Sequence, residues 1–360
     1  VRILYAETSD FLPTGAHFLE ALEAMAEHGE CEFTFFDEAR YRRPQRSLAG
    51  RIARRLAGRP AGYRALNAAL VAEAERFHPD LVLIAKGAYF APATLAAVRA
   101  ATGASVVNWA TDDPFNPASS TRDLVESIAL YDLYVCTKRA IMDDVRRAGC
   151  ANVAYVRFGY KPQVHFLEAP ASDDESRRFQ SDVTFIGGGD DDRAPYFERL
   201  VRAIPELRLH LHGGYWNRYP KLRRYWRGNA TGRDFRLAVS GAKISVNLLR
   251  RANRDDHVMR TFEIPACGGF MLTERSATHG ELFSEDNEAA FFSSPDELAA
   301  KVRIYLGRDE DRARIAAAGH RKITHGRNTY GDRLAEIIQA ARSVKGLQRP
   351  ATVGAAQTNE

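Results

Sequence analysis

The sequence predicts an α/β protein made of two Rossmann-like, doubly wound domains in series, facing each other across a cleft. Three observations predict it. The chain has 360 residues, more than one domain usually holds. Short apolar runs alternate with helical patterns through short connections, which is the rhythm of parallel strand–helix–strand units. The series stops at a polar, Pro-containing stretch and then begins again. The division is a first domain over 1–166, a linker over 167–181, a second domain over 182–330, a closing helix over 331–344 and a disordered tail over 345–360.

The elements follow in order. Arg2 to Glu7 is too short for the apolar core of a signal peptide and reads as a first strand. Phe18, Leu19, Leu22 and Met25 recur at helical spacing between His17 and His28, and Gly29 stops that helix. Cys31 to Phe36 is the next strand. Tyr63 to Phe77 is a helix, with Leu66, Leu70, Val71 and Ala74 on one side. Leu81 to Ala85 is apolar throughout, as a strand covered on both faces requires. A helix over Pro92 to Ala101 and strands over Ser105 to Trp109, Leu133 to Cys136 and Asn152 to Val156 complete the first series. Asp182 to Ile186 opens the second. Strands follow over Leu207 to Leu211, Lys243 to Leu248, Phe270 to Thr273 and Ala289 to Phe292. Helices then span Pro295 to Leu306, Asp309 to Ala318 and Tyr330 to Ala341.

Composition excludes little and permits several partners. The hydrophobic share is 45% and the charged share 27%, ordinary for a globular chain. No run reaches the length of a membrane-spanning helix. Cys31, Cys136, Cys150 and Cys267 are scattered, so reduced thiols are expected rather than a disulfide framework or zinc site. A net charge of +5 suits nucleotides, polynucleotides or anionic lipid alike. Arg-rich residues 40–64 include Ile52 and Leu56 four apart. They form either a solvated surface or, at most, a peripheral contact with a membrane.

In open α/β sheets, ligands bind beyond the carboxyl ends of the strands. That rule selects Glu7-Thr8, Asp37, Lys86-Gly87 and Asp112-Asp113 in the first series. In the second it selects Gly187 to Gly189, Gly213 to Trp216, Asn247 and Thr273-Glu274. Gly187-Gly188-Gly189 lets backbone N–H groups approach a phosphate, although the spacing is not that of a dinucleotide fingerprint. Asp190 to Asp192 would repel phosphate and fit better as caps of the next helix, which Pro195 helps to start. Asp112-Asp113-Pro114 offers a carboxylate to take a proton from an acceptor hydroxyl. One of the pair can cap a helix instead, and which one acts stays open.

The densest stretch runs from Asp256 to Arg275. Pro265 limits how early its helix can begin, so the helix is expected to start near Thr261. Glu263 then lies in the first turn and Arg260 just ahead. A helix N-terminus and a guanidinium favour phosphate, and Glu263 can accept hydrogen bonds from a ribose diol. Gly268-Gly269 ends the helix. The alternative is an Arg260–Glu263 pair closed on itself, with His257 on the surface. His210, His212 and His257 have the wrong spacing for a compact metal site. Arg218 to Arg233, interleaved with Tyr219, Tyr225 and Trp226, could stack on a polynucleotide.

These residues resemble a known family. Asn247, the run Arg260-Thr-Phe-Glu-Ile-Pro-Ala-Cys-Gly-Gly-Phe-Met-Leu-Thr-Glu-Arg, then Glu281-Leu-Phe, Glu288-Ala-Ala-Phe-Phe and Glu297-Leu are similar to the glycosyltransferases named after the spore-maturation protein CgeB. Those have a group-1-like glycosyltransferase domain at the C-terminus. Ala318-Gly-His, Tyr330 and Arg333 fit the end of that domain, and Trp109-Ala-Thr-Asp-Asp-Pro-Phe looks like the family's N-terminal signature. The likeness covers most of residues 80–340. It implies a GT-B fold, with the acceptor on the side of the first domain and the nucleotide-sugar donor held mainly by the second. It implies a ribose contact for Glu263. It places Asp255 where related enzymes often carry a Glu near the donor sugar, a departure that leaves the stereochemical class open.

The expectation is therefore a cytoplasmic, metal-independent hexosyltransferase-like enzyme with no cofactor beyond its nucleotide-diphosphate-sugar co-substrate. The acceptor would be a glycan, a lipid-linked molecule or a small molecule, and at most 40–64 would touch the inner face of a membrane. Asp112 and Asp113 are the catalytic candidates. Gly187, Gly188, Asn247, His257, Arg260, Glu263, Gly268 and Gly269 are the donor-binding candidates. Lys86, Gly87, Tyr215 and Trp216 are candidate acceptor or base contacts. A nucleotide-sugar-binding protein without transfer activity is the first alternative, and a nucleic-acid-binding protein the second.

Overall fold

The computed structural model describes residues 1–9, 16–41 and 59–345. Most of the Arg-rich segment and residues 346–360 lie outside the described residues, so the expectations of a membrane-facing segment and of a disordered tail fall there. Among the described residues, no helix is long and apolar enough to cross a membrane.

Two parallel sheets carry the fold. The first contains β1 (Arg2–Glu7), β2 (Glu32–Asp37), β3 (Leu81–Ala85), β4 (Ser105–Ala110), β5 (Leu133–Cys136) and β6 (Val153–Tyr155), in the order β2-β1-β3-β4-β5-β6. The second contains β7 (Ser181–Ile186), β8 (Leu209–His212), β9 (Ala242–Asn247), β10 (Met271–Glu274) and β11 (Ala290–Phe292), in the order β11-β10-β9-β7-β8. Counted from its own first strand, each sheet begins 2-1-3-4-5. The repeat expected from the sequence is thus a repeat of topology.

Alternation within one strand shows why the runs are so apolar. Ile3 and Tyr5 face a core that includes Phe18, Leu22, Leu334 and Ile337. Leu4 and Ala6 face the other, with Leu66, Leu70, Leu95 and Val98. The second sheet is covered likewise: Val183 and Phe185 meet Phe197, Leu200 and Val302, while Ile186 packs with Phe235 and Phe262. Helices on both faces leave a strand no polar side, and this is the doubly wound arrangement.

Two elements differ from those expected. The 167–181 linker holds a helix, Asp173–Phe179, whose Ser172 hydroxyl accepts from the Glu175 N–H at 3.2 Å; a cap and three acids in the first turn were its signal. The helix expected to stop at Ala318 runs Asp309–Thr324. Gly319 sits inside it because a Cβ there would come within 2.4 Å of the Glu288 carbonyl oxygen, so a close backbone approach, rather than a helix end, demands the glycine. The closing helix, Tyr330–Lys345, returns to the first half of the chain. Its Leu334, Ile337 and Ile338 pack into the core beneath β1, β3 and β4. The chain therefore crosses between halves twice.

Candidate active site

The order reverses between β1 and β3 in the first sheet, and between β7 and β9 in the second. At such a switch point the flanking connections diverge and open a crevice at the carboxyl ends of the strands. A cavity stands at each. One, of about 570 Å³, has Glu7 and His17 from the first strand's end and Lys86 and Gly87 from the third's, with Tyr215 from the second half. The other, of about 200 Å³, has Gly187, Arg193, Asn247, Arg250, Asp255 and Arg260 on its wall. Thr111, Asp112, Phe158, Arg250 and Met259 border both, so the two form one cleft.

The smaller cavity is rich in guanidinium. Arg260 donates from Nε to the Ile186 carbonyl at 3.0 Å, lies 4.7 Å from the Phe235 ring centre and pairs with Glu263. Burial pushes its pKa down to about 10, with nearby Arg193 adding to the effect. Arg193 donates to the Gly188 carbonyl at 3.1 Å and lies 3.4 Å from Asp190. Burial, together with the charge of Arg250, holds it below the usual arginine range. Its Nε is buried without a hydrogen-bond partner. A buried donor left unmatched beside other guanidiniums is unfavourable, and an anionic acceptor in the cavity would satisfy it. The Gly-rich turn supports this wall. Gly187 and Gly189 donate to the carbonyls of His212 and Gly214, and Trp216 Nε1 donates to the Gly187 carbonyl at 2.9 Å. Asp190 accepts from the Arg193 N–H at 2.9 Å, which closes the turn ahead of the Ala194–Ala203 helix; the cap position itself is Arg193 and has no side-chain cap bond, so the expected aspartate cap is displaced by one turn.

The larger cavity is mixed in charge. The Lys86 ammonium lies 2.7 Å from Asp112. Burial raises the Asp112 pKa, but Lys86, with Lys138 and Arg250 behind it, outweighs that and holds the carboxyl below the usual range. Lys86 has φ +61° and Tyr215 φ +71°, left-handed backbone that side-chain-bearing residues rarely adopt. Strain of this kind concentrates where a side chain must be aimed. Here both residues, one from each half, face the same cavity.

The sequence candidates separate accordingly. Gly187, Asn247, Arg260, Lys86, Gly87, Asp112 and Tyr215 line the cleft. Gly188 borders the Gly187 turn. Asp113 is 4% exposed and is gripped by Arg254 at 2.6 and 3.0 Å. Glu263 sits behind Arg260, with His165 Nε2 at 3.5 Å on its other side, which is the closed Arg260–Glu263 pair. His257 is fully buried, not on the surface. Its Nε2 accepts from the Phe158 N–H of the first half at 3.1 Å and its Nδ1 meets the neighbouring Asp256 at 2.7 Å, so both nitrogens are engaged, the first in joining the halves, and His257 does not line the cleft. Trp216 is likewise fully buried and braces the glycine turn instead of meeting an acceptor. Gly268 and Gly269 lie at the far end of the Arg260–Ala266 helix. Side chains there would strike Leu167 and Val239, so they serve packing.

Sequence reasoning missed Arg193, Arg250, Lys138, Arg254 and His17. The first two had a signal, since each follows a strand's carboxyl end by a few residues. Lys138 had none. Its Nζ is buried 3.3 Å from Asp255 of the second half, a partner 117 residues away (255 − 138).

Comparison with known proteins now adds to the geometry. Residues 193–339 match the family model described as glycosyl transferase-like. No curated protein matches the chain by sequence. Among solved structures, sucrose-phosphate synthase from Thermosynechococcus elongatus superposes with a TM-score of 0.69 at 12% identity, covering 96% of this chain and 100% of that one. A UDP-forming α,α-trehalose-phosphate synthase from Burkholderia xenovorans gives 0.63 at 12%, covering 96% and 99%. The Anabaena protein HepE, in complex with UDP and glucose, gives 0.61 at 12%, covering 96% and 100%. The fold is the GT-B fold of these neighbours, and the residues that resemble the glycosyl transferase-like model, 193–339, lie in its second half.

Proposed function

We propose that the protein is a glycosyltransferase that binds a nucleoside-diphosphate sugar in the smaller cavity and transfers the sugar to a hydroxyl acceptor in the larger one. The single observation that carries the reading is the convergence of Arg193, Arg250 and Arg260 on a cavity at the second sheet's switch point, with a buried Arg193 Nε unmatched. Two linked phosphates supply an acceptor for the unmatched Arg193 Nε and charge opposite the three guanidiniums, and arginine's planar fork suits their oxygens. As the sugar leaves, charge builds on the diphosphate, and fixed guanidiniums in a half-dry cleft stabilise that charge more than they stabilise the bound donor. UDP is the first candidate because HepE was solved with it. Glu263 would reach the ribose once phosphate draws Arg260 away from it. Within the glycosyltransferases, the Phe262 to Gly269 block supports a place near the CgeB-like family. Four free, buried cysteines suit a reducing compartment such as the cytoplasm.

The test is calorimetric titration with UDP, GDP, ADP and dTDP, alongside a thermal-shift screen. A ligand of the folded state raises the melting temperature by mass action. At least one diphosphate is expected to bind, and to lose affinity in Arg193→Ala and Arg250→Ala. Absence of binding by all four removes the reading. Binding with no transfer to any of a panel of hydroxyl acceptors leaves a nucleotide-sugar-binding protein.

A further inference from the structure

The connection from β8 to the Arg233–Ser240 helix carries a surface that the donor site does not use. No acid occurs between Glu206 and Asp234. Lys221 and Arg233 find acids on other elements, Glu198 at 3.1 Å and Glu168 at 2.7 Å. Arg218, Arg223, Arg224 and Arg227 are exposed and form no ion pair among the described residues. The turns Trp216–Arg218 and Arg223–Tyr225 pack on each other. Backbone bonds then hold the chain along the open edge of β8. The Arg227 N–H donates to the Leu211 carbonyl at 2.9 Å and the Gly213 N–H to the Gly228 carbonyl at 2.8 Å. The Trp226 indole donates to the Gly213 carbonyl at 2.8 Å. Trp226 is nonetheless 37% exposed, and Tyr215 is 58% exposed. Arg218 lies 4.4 Å from the Tyr215 ring centre, and Tyr215 borders the larger cavity. Two exposed rings and four unpaired guanidiniums thus lie on one connection at the carboxyl end of β8, beside the cleft.

A polynucleotide needs successive rings to stack on. Tyr225 is 7% exposed, and the Tyr219 hydroxyl is spent on Asp191 at 2.8 Å, so of the aromatics interleaved with these arginines only Trp226 is exposed. A membrane surface needs an apolar face to insert, and Leu222 is fully buried. A glycan needs neither. The C–H face of a sugar rests on one aromatic ring, and a carboxylate or phosphate on it takes a guanidinium's fork. We propose that the 213–228 connection holds an acidic glycan chain whose end enters the larger cavity as the acceptor. The proposal rests on the glycosyltransferase reading and names its acceptor class. Tyr215, held at φ +71°, stands where the chain passes from the surface into the cavity. Trp226 supports sugars farther along, and the four guanidiniums take their anions. Fixed positive charge also draws such a chain in from solution. At the buried end, a hydroxyl oxygen of the chain bonds to the donor's anomeric carbon and releases its proton to solvent. The bond from that carbon to the diphosphate breaks, and its electron pair leaves with the diphosphate.

The test is calorimetric titration of the full chain with oligogalacturonate, with phosphomannan fragments and with a neutral maltooligosaccharide of matched length. At least one acidic chain should bind more tightly than the neutral one and weaken as salt rises. Which of the two does so tells carboxylate from phosphate. Arg223→Ala/Arg227→Ala should lose on the order of tenfold in that affinity, as two exposed ion pairs allow, and should bind UDP like wild type. Tyr215→Ala should also lose affinity for the chain, which a surface remote from the cavity would not show. With UDP-, GDP-, ADP- and dTDP-glucose as donors, wild type should add a hexose to the chain, read by mass spectrometry. Equal binding of acidic and neutral chains, or unchanged affinity in the double variant, overturns the proposal. Tighter binding of oligo-dT or of phosphatidylglycerol vesicles at the same salt also overturns it, and makes the surface a contact for polynucleotide or membrane. A chain that binds but gains no hexose removes the acceptor role. A protein that binds the acidic chain through these residues but binds no nucleoside diphosphate loses the donor reading and the acceptor role, and keeps the glycan surface.

Discussion

Arg254 of the second half closes a two-toothed ion pair on Asp113 of the first, with Nε 2.6 Å from Oδ2 and Nη2 3.0 Å from Oδ1. Arg254 holds φ +49° to do so. The Asn253 side chain accepts from the Asp113 N–H at 2.8 Å, and Arg254 also reaches Asp144. Lys138 and Asp255 pair beside this contact. The loop after β9 is thus a clasp across the cleft, and an aspartate that the sequence offered as a base is part of the clasp.

Removing either partner tests this. Asp113 is almost fully buried whereas Arg254 is 35% exposed. Breaking a buried pair costs roughly 3–5 kcal/mol and an exposed one under about 1. Arg254→Ala is therefore expected to cost about 1–3 kcal/mol, with Asp113→Asn similar, both seen in thermal melts. Both should loosen the halves in small-angle scattering and lower turnover alike. Loss of turnover in Asp113→Asn but not in Arg254→Ala would instead restore Asp113 as a base.

Arg193→Ala should weaken binding of the diphosphate more than it weakens the fold. Hydrogen bonds to charged groups are worth about 1.5–3 kcal/mol, which corresponds to a drop of roughly 10- to 150-fold in affinity. The free protein loses a buried donor with no partner along with the bond to the Gly188 carbonyl and the Asp190 contact, so its melting temperature should change little. Calorimetry and thermal melts on one sample decide it. A lower melting temperature with unchanged affinity would make Arg193 structural.

Two glycines near the phosphate wall should respond differently. A Cβ on Gly213, which has φ +120°, would lie 2.4 Å from the Gly187 carbonyl oxygen, whereas one on Gly188 would make only ordinary contacts at 3.6 and 3.7 Å. Gly213→Ala is expected to lower the melting temperature and donor affinity together, because strained or incompatible backbone costs on the order of 1–3 kcal/mol. Gly188→Ala should melt like wild type. If it also loses donor affinity, phosphate occupies the space beside that backbone; if it binds normally, the turn only shapes the wall.

Acid should destabilise the protein through buried neutral histidines. Burial, reinforced by Arg260, brings His165 down to about 3. Burial also brings His210, His212 and His279 down to about 4. Unfolded, each titrates near 6.5. Between these values the unfolded chain binds more protons than the folded one, so stability falls as pH drops. The contribution is complete above about pH 6.5 and is lost toward pH 4. Chemical melts from pH 7 to 4 should show this slope, and His212→Gln should flatten it.

Much of the fold was legible because its signals are local. Leu81 to Ala85 and Tyr63 to Phe77 could be bounded to the residue, since a strand buried on both faces must be apolar and a helix beside a sheet must repeat its apolar face. Asp173–Phe179 escaped because a polar helix on a connection carries no such periodicity. Half of the site was legible as well. Gly187, Asn247, Lys86, Asp112 and Tyr215 follow from the rule that loops at strand ends carry ligands. Trp216 obeyed the same proximity in sequence, and His257 was drawn from the Arg260 stretch, yet both are fully buried, because position near a strand's end does not fix which way a loop side chain turns.

What sequence could not carry was pairing across the cleft. Asp112 and Asp113 are neighbours of the same type in one turn, and the chain offers no reason to prefer either. Folding brings Lys86 to one and Arg254 to the other, from positions 26 and 141 residues away. Glu7 and His17 are ten residues apart and look unremarkable as letters. The closing helix places Tyr330 over them, and the resulting burial leaves one imidazole nitrogen without a partner. Charge pairing and desolvation depend on distance in space, so the local code specifies strands, helices and their edges, and the packed halves settle which edge residues remain available for chemistry.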